Sequence, residues 1–269
     1  MDENEFLSII ALITSQTGIV PRESHKIGIR NFIEKRMKEI NLGGLPYHSY
    51  LRLNKEEFDI LINAATVNET YFFREEAQFS LLKDKVFPEI RAKLATSPMK
   101  IWSAAASSGE EIYSLYLLAQ SLGIKTECLA SDINTHVLEK CSKGEYASNT
   151  TKKIDGAKFH YLLAPYQKID KSVLFPAEVC SKIERKQLNL CSEKEDFPKN
   201  VHVIFMRNVF IYFTMEMRKQ ILEKIVNESL CTGGYLFVSM SEIASIDTKI
   251  IPKNLEKCSE GKVFYFRKK

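Results

Sequence analysis

The feature of this sequence that most constrains its fold is a short apolar run that leads through small residues into a helical segment. Residues 101–106 are typical of a buried strand, and the small residues after them end at Gly109. Residues 110–122 contain neither proline nor glycine and carry apolar side chains at helical spacing. α/β folds hold nucleotide-like ligands at such a strand–turn–helix unit, because only small side chains let the ligand come close to the backbone.

A second apolar run supplies the other half of this signal. It ends in Asp132, where a carboxylate at the end of a strand can accept both hydroxyls of a ribose. The two halves together predict a nucleoside-containing cofactor. A competing interpretation makes Asp132 the N-cap of a helix that begins near Asn134, since aspartate is a favoured cap.

Composition and charge limit the other possibilities. With 269 residues, of which 45% are apolar and 27% charged, the chain can bury a full core and is ordinary for a globular protein. The net charge of +4 is not concentrated in one patch, which argues against nucleic acid as a partner. Six widely spaced cysteines predict reduced thiols in the cytoplasm, and five scattered histidines predict no metal site. The apolar runs are far shorter than the ~20 residues of a membrane span, which predicts no membrane insertion.

The texture of the sequence changes along the chain. The first part carries helical apolar stripes, such as Phe6, Ile9 and Ile13, whereas short apolar runs alternate with helical segments from Ile101 onward. Strands are expected at residues 100–105, 126–131, 183–188, 201–206, 235–240 and 262–267, and a helix at 215–230, ended by two glycines at 233 and 234. This pattern predicts an α/β protein with a helical N-terminal domain, residues 1–85. A doubly wound, mostly parallel sheet with a small β insertion at about 159–183 would then form residues 86–269.

Four motifs carry a resemblance to a known family. Residues 66–75 contain Asn-x-Thr-x-Phe-Phe-Arg, and residues 102–111 read Trp-Ser-Ala-Ala-Ala-Ser-Ser-Gly-Glu-Glu, similar to a glycine-containing cofactor loop. Residues 130–140 begin with Ala-Ser-Asp, and residues 203–213 contain Arg-Asn-Val-Phe-Ile-Tyr-Phe. In this order and spacing the chain resembles the chemotaxis receptor methyltransferases, the CheR family, over nearly its whole length.

The resemblance implies a class I methyltransferase-like fold and an enzyme that transfers a methyl group from S-adenosylmethionine to glutamate carboxylates of chemoreceptors. The product would be S-adenosylhomocysteine, the partners would be the cytoplasmic helices of chemoreceptors, and the protein would act as a cytoplasmic monomer. Such a reaction needs no general base, because a glutamate with a pKa of about 4.3 is already ionised at neutral pH. The sequence accordingly offers no Ser-His-Asp or Cys-His constellation.

The resemblance also assigns roles to individual residues. It implies cofactor contacts at Asn68, Thr70, Arg74, Glu111, Asp132, Asn189, Leu190, Asn208 and Val209, and catalytic roles for Arg74 and Tyr212. Other interpretations stay open for several of them. Glu111 could complement a helix dipole, Asn208 could form a turn, and Tyr212 could be a core aromatic. Arg74 could be a solvated surface charge, and if it is not, its guanidinium could hold either the substrate glutamate or the carboxylate of the cofactor.

Two further hypotheses remain at this stage. Arg22, Lys26 and Arg30 would share one helix face and form either a docking surface for acidic receptor helices or an ordinary solvated face. The chain could also be a non-catalytic S-adenosylmethionine-sensing adaptor, or a methyltransferase with another acceptor. No base-flipping arrangement or basic patch favours nucleic acid as that acceptor.

Overall fold

A computed structural model describes residues 1–40, 42–151 and 153–269. The N-terminal part is a helical bundle with its own apolar core, in which Phe6, Ile9, Ile33 and Leu61 are buried. Its helices are α1 (Glu3–Thr17), α2 (Glu23–Glu39), α3 (Tyr47–Leu53) and α4 (Lys55–Ala65). The apolar stripe predicted from helical spacing therefore faces this core.

A seven-stranded sheet with its covering helices forms the rest of the molecule. Its parallel strands are β1 (Met99–Ala104), β2 (Thr126–Asp132), β5 (Ile183–Gln187), β6 (Val201–Phe205) and β7 (Leu230–Phe237). The antiparallel edge consists of β8 (Leu255–Glu260) and β9 (Val263–Lys268). The strands lie in the order β5-β2-β1-β6-β7-β9-β8. The prediction of a mostly parallel sheet after a helical N-terminal region is confirmed.

Both faces of the sheet are covered, as expected for a doubly wound fold. Val203 and Phe205 belong to one apolar cluster and their neighbours Ile204 and Met206 to another, because successive side chains of a strand point to opposite faces. The covering helices that follow β1 are α7 (Glu110–Ser121), α8 (Thr135–Lys143), α9 (Ala177–Cys180), α10 (Met215–Lys224) and α11 (Met240–Ser245). Among the described residues no helix is both long and apolar enough to cross a membrane.

The connection between the bundle and the sheet packs with the sheet. Helix α5 (Glu76–Leu81) continues through a π-helical turn, Leu82–Val86, into α6 (Phe87–Leu94). Phe79 and Phe87 lie on either side of the predicted domain boundary at residue 85, and both are buried in the same sheet core. The division at that residue stays a prediction.

Three details differ from the expectations. Strand β8 was not predicted, and the two glycines expected to end a helix lie inside β7, because that helix ends earlier in a π-helical turn, Ile225–Ser229. The small β insertion is present as two paired strands, β3 (Glu145–Tyr146) and β4 (Val173–Leu174). The rest of the predicted segment 159–183 contains 3-10 turns, α9, the start of β5 and irregular stretches between them.

Candidate functional site

A cavity that is open to solvent lies at the carboxyl edge of β1, β2, β5 and β6. All the residues predicted for the site line it: Asn68, Thr70, Arg74, Glu111, Asp132, Asn189, Leu190, Asn208, Val209 and Tyr212. The helical bundle closes the opposite wall with Thr17, Pro21 and His25. The site therefore lies between the sheet edge, where open α/β sheets bind ligands, and the bundle.

The turn between β1 and α7 is held in an unusual backbone conformation. Ala105, Ser107 and Gly109 all have positive φ, at 87°, 50° and 98°. A Cβ atom at Gly109 would lie 2.4 Å from the Sγ atom of Cys141, so the position has no room for a side chain. The Ala105 N–H donates to the carbonyl of Ser131 on β2 at 2.9 Å, which fixes the turn against the neighbouring strand. The small residues read from the sequence thus form a tight turn beside the cavity.

Asp132 ends β2 and is almost fully buried beside that turn. Its oxygens accept N–H bonds from Ser107 and Asn134, both at 2.9 Å. Burial raises the pKa of Asp132, although these hydrogen bonds act in the opposite direction. A carboxylate has about four lone-pair sites, so Asp132 keeps acceptor capacity for a ligand hydroxyl. Helix α8 is capped by Asn134, whose side chain accepts from the Val137 N–H, and not by Asp132 as the competing interpretation held.

Glu111 is part of a buried ion pair in the cavity wall. One carboxylate oxygen accepts from the Ser103 hydroxyl at 2.6 Å, and the other accepts from the Nε atom of Arg207 at 2.6 Å. Both oxygens are thereby fixed in place, and lone pairs remain for a ligand. The dipole interpretation does not account for these two bonds, since they go to Ser103 on β1 and to Arg207 after β6 rather than to the start of α7.

Arg207 is a site residue that was not predicted from the sequence. It follows β6, lines the cavity and is 6% exposed. Besides Glu111 it donates to the carbonyl of Arg74 at 2.6 Å and to the side chain of Gln78 at 3.2 Å, and its guanidinium lies 5.0 Å from the Phe205 ring centre. The sequence did contain a signal for Arg207, because it is a charged residue directly after a buried strand in a run that is mostly apolar.

Residues 68–74, here called the site segment, cross the top of the cavity. Phe72 and Phe73 are fully buried and anchor the segment in the sheet core. At its start, the Asn68 carbonyl accepts from the Ser107 hydroxyl at 3.1 Å, which connects the segment to the β1–α7 turn. At its end, Arg74 is half-buried and donates to the Glu69 carbonyl at 3.1 Å. Arg74 therefore lines the cavity and is not a freely solvated surface charge.

The last part of the cavity wall comes from the ends of β5 and β6. The Asn189 side chain donates to the carbonyl of Gln16 at 2.8 Å, so it also fastens α1 to the sheet. Asn208 adopts a left-handed conformation (φ 57°), which suits the turn interpretation while leaving the residue in the cavity wall. Tyr212 is half-buried, and burial raises its pKa. At neutral pH its hydroxyl is therefore protonated and able to donate a hydrogen bond.

These groups together can bind a polar ligand that has both hydroxyl and carboxylate groups. Asp132 offers acceptors at one part of the cavity, and Arg74 offers a fork of donors in the same cavity. Which group of the ligand each of these site residues binds stays a prediction.

Comparison with known proteins gives a consistent result. The family model described as "CheR methyltransferase, SAM binding domain" matches residues 68–258. The chemotaxis protein methyltransferase of Escherichia coli (strain K12) is 32% identical over 252 residues, covering 90% of this chain and 85% of the relative. Chemotaxis protein methyltransferase 2 of Vibrio cholerae is 35% identical over 239 residues, covering 81% and 80%. The chemotaxis protein methyltransferase of Borreliella burgdorferi is 29% identical over 254 residues, covering 89% and 88%.

Proposed function

The chain belongs to the CheR methyltransferase family, and from this premise we propose that it is a protein-glutamate O-methyltransferase acting on chemoreceptors. Methyl transfer from S-adenosylmethionine is the activity of the family itself. The proposal adds the acceptor, which is the side-chain carboxylate of glutamates on the cytoplasmic helices of a receptor.

One observation carries this proposal. Asp132 and Arg74 line the same cavity. The buried carboxylate of Asp132 can accept ribose hydroxyls, and the half-buried guanidinium of Arg74 can hold a carboxylate. The cavity fits S-adenosylmethionine in the chemistry of its lining, since the β1–α7 turn lets the ligand approach the backbone and Asp132 retains free lone pairs. Asn68, Thr70, Glu111, Asn189, Leu190, Asn208 and Val209 would complete the cofactor site.

The proposed chemistry asks for orientation rather than proton transfer. When bound, S-adenosylmethionine supplies a methyl group on a sulfonium leaving group. The acceptor glutamate is already ionised at neutral pH, so the protein must bring its carboxylate into line with the methyl group and exclude water. Orientation of this kind is worth about 7–11 kcal/mol in well-placed intramolecular reactions. Arg74 would hold a carboxylate with two parallel donors, and Tyr212 would donate from its protonated hydroxyl at the same cavity.

The deciding experiment incubates the protein with methyl-labelled S-adenosylmethionine and membranes that contain the receptors of the same organism. We expect label on the receptor that mild alkali releases, because carboxyl methyl esters are hydrolysed under these conditions. Replacing the glutamates of the labelled receptor peptide by alanine should remove the label. The Asp170→Ala variant, which changes an exposed aspartate outside the cavity, serves as the matched control for site variants.

Two other results of this experiment would contradict the proposed reaction. Label that resists alkali would identify an acceptor other than a carboxylate. A protein that binds the cofactor with no transfer to any receptor would be an adaptor, and the proposed reaction would be wrong.

A further inference from the structure

The site segment is supported from outside by a loop of the insertion. Residues 153–156, here called the buttress loop, lie between two 3-10 turns, Ser148–Thr151 and Ala157–Leu162. This loop is distant in sequence from the site segment, and no residue of it lines the cavity. Its contacts with the site segment therefore reach the cavity only through other side chains.

Asp155 makes three hydrogen bonds to the site segment and the start of α5. One oxygen accepts from the Tyr71 hydroxyl at 3.0 Å and from the Glu75 N–H at 2.6 Å. The other oxygen accepts from the Glu76 N–H at 3.0 Å. Desolvation acts to raise the pKa of Asp155, but the three hydrogen bonds outweigh it and the pKa is lowered. The carboxylate is thus ionised at neutral pH. It binds Tyr71, which precedes Arg74 in the sequence, and Glu75 and Glu76, which follow it.

The Tyr71 ring in turn lies next to Arg74 of the site segment. The guanidinium carbon of Arg74 is 5.5 Å from the centre of that ring, within the range of a cation–π contact. Lys153 of the buttress loop lies 5.5 Å from the same ring centre and 3.9 Å from the Glu69 carboxylate. Asp155 therefore holds the ring at its hydroxyl, and the guanidinium packs against that ring.

The backbone of the buttress loop is also fitted closely to the site segment. Gly156 has a φ of +89°, and a Cβ atom there would lie 2.7 Å from the carbonyl oxygen of Phe73. Any larger residue would push the loop away from the residue that precedes Arg74. The approach of the two segments thus depends on the absence of a side chain at this position.

We propose that Asp155 and Tyr71 are positioning residues that set the orientation of the Arg74 guanidinium in the cavity. The inference rests on the proposed function, because it assumes that Arg74 holds a carboxylate there. A guanidinium donates two parallel hydrogen bonds only when its plane matches that of the carboxylate. A ring of fixed orientation beneath the guanidinium restricts that plane, and Asp155 fixes the ring.

The inference predicts a graded series of variants. Tyr71→Leu removes the ring and Asp155→Ala removes its anchor, and each should lower kcat about 10–100-fold, the cost of a small misplacement of a reacting group. Tyr71→Phe keeps the ring and loses only the hydroxyl contact, so its kcat should lie between that of Tyr71→Leu and the unmodified protein. Asp170→Ala changes an aspartate of the same insertion whose carboxylate accepts from Ser172, and its kcat should stay within about twofold of that of the unmodified protein.

A double-mutant cycle separates positioning from a general loss of structure. Asp155→Ala is combined with Arg74→Ala, and both kcat and the affinity for S-adenosylhomocysteine are measured in folded variants. If Asp155 acts through Arg74, its replacement should change neither quantity by more than about twofold once Arg74 is absent. The affinity measurement needs no acceptor protein, so it reports on the inference even if the proposed acceptor is wrong.

Several results would overturn the inference. One is an Asp155→Ala variant with unchanged kcat and affinity; another is a cycle in which the two single effects multiply. If Arg74→Ala itself changed neither quantity, the inference would fall together with the role of Arg74. The alkali test on the unmodified protein would still decide the reaction independently. Gly156→Ala offers a check that keeps both side chains, and it should reproduce the loss seen in Asp155→Ala.

Discussion

Asp132 accepts a hydrogen bond from Ser107 in the β1–α7 turn, and in the proposed function it also accepts the ribose hydroxyls of the ligand. We predict that Asp132→Ala lowers the affinity for S-adenosylhomocysteine by about tenfold or more, because a hydrogen bond to a charged group contributes about 1.5–3 kcal/mol. Isothermal titration calorimetry measures this loss, with Asp170→Ala as the control. Circular dichroism must show that the variant is folded, since Asp132 also accepts from Ser107 and Asn134. A folded variant with unchanged affinity would remove Asp132 from the ligand site.

For Arg74, the two remaining roles give different kinetics. If its guanidinium orients the attacking carboxylate, Arg74→Ala should keep much of the cofactor affinity and lose most of kcat, because positioning acts in the transition state. If it holds the cofactor, affinity and turnover should fall together. We expect both to fall and kcat to fall further. Arg74→Lys should restore little, since an ammonium cannot donate in parallel as a guanidinium does. Full activity of Arg74→Ala would contradict both roles.

Single residues also show what the sequence could and could not predict. The positions of Asp132 and Gly109 were predictable because they follow from local chain features, the end of a strand and a tight turn. Arg207 was missed because its partners, Glu111 and Gln78, are distant in sequence and meet it only in the folded protein. A buried charged residue needs partners that are close only in the folded protein, and the apolar pattern of the sequence does not show which residues these are.

At the scale of elements, Glu89 connects α6 to the antiparallel edge of the sheet. Its carboxylate accepts from the Tyr235 hydroxyl on β7 at 2.6 Å and pairs with Arg267 on β9. The hydrogen bond from Tyr235 is the main cause of a lowered pKa of about 2. The stabilisation should therefore be present above the pKa of the unfolded chain, about 4.3, and be lost as the pH falls towards 2.

Glu89→Gln should accordingly lower the free energy of unfolding by about 1 kcal/mol at neutral pH, a value that allows for partial solvent screening. Urea unfolding at a series of pH values measures the difference, which should shrink steadily in acid. The exposed Glu178→Gln variant provides the control, with no expected change at any pH. A difference between Glu89→Gln and the unmodified protein that did not depend on pH would contradict the role of the ionised carboxylate.

The errors in predicting the elements from the sequence have a common physical cause. Strand β8 reads Leu-Glu-Lys-Cys-Ser-Glu and lies at the exposed edge of the sheet, so it lacks the apolar run that identified the central strands. The glycines at 233 and 234 lie in β7 near a register irregularity between β6 and β7, where a strand tolerates glycine. Edge strands and bulges are set by pairing with neighbours, and a periodic pattern does not record that pairing.

At the scale of the whole molecule, polar contacts join the helical bundle to the sheet around the cavity. Besides the bond from Asn189 to α1, the Asn63 side chain near the end of α4 accepts from the Thr135 N–H at 3.0 Å. The Asn134 side chain donates to the Thr66 hydroxyl at 2.7 Å. Of the three cations predicted to form a docking face, Lys26 pairs with Glu23 and Arg30 with Glu3. Much of the positive charge on that face is thus compensated within the bundle, and its role in docking stays a prediction.

Because the bundle forms one wall of the cavity, ligand binding should stabilise both parts of the protein together. A ligand at about 100 times its dissociation constant adds about 2.7 kcal/mol to the free energy of unfolding. We therefore predict that S-adenosylhomocysteine slows amide hydrogen exchange in residues 16–22 and 63–70 as well as in the turn 105–109. Mass spectrometry of peptic fragments measures this exchange with and without the ligand.

The edge strand β8 provides an internal control for this experiment, because it lies at the end of the sheet order, away from the strands that line the cavity. Its exchange should change little, and the Asp132→Ala variant should lose the protection throughout. Protection confined to the sheet would mean that the bundle moves independently of the ligand and does not complete the site. Protection that extends into α1 and α4 would show that helical bundle and sheet act as one binding unit.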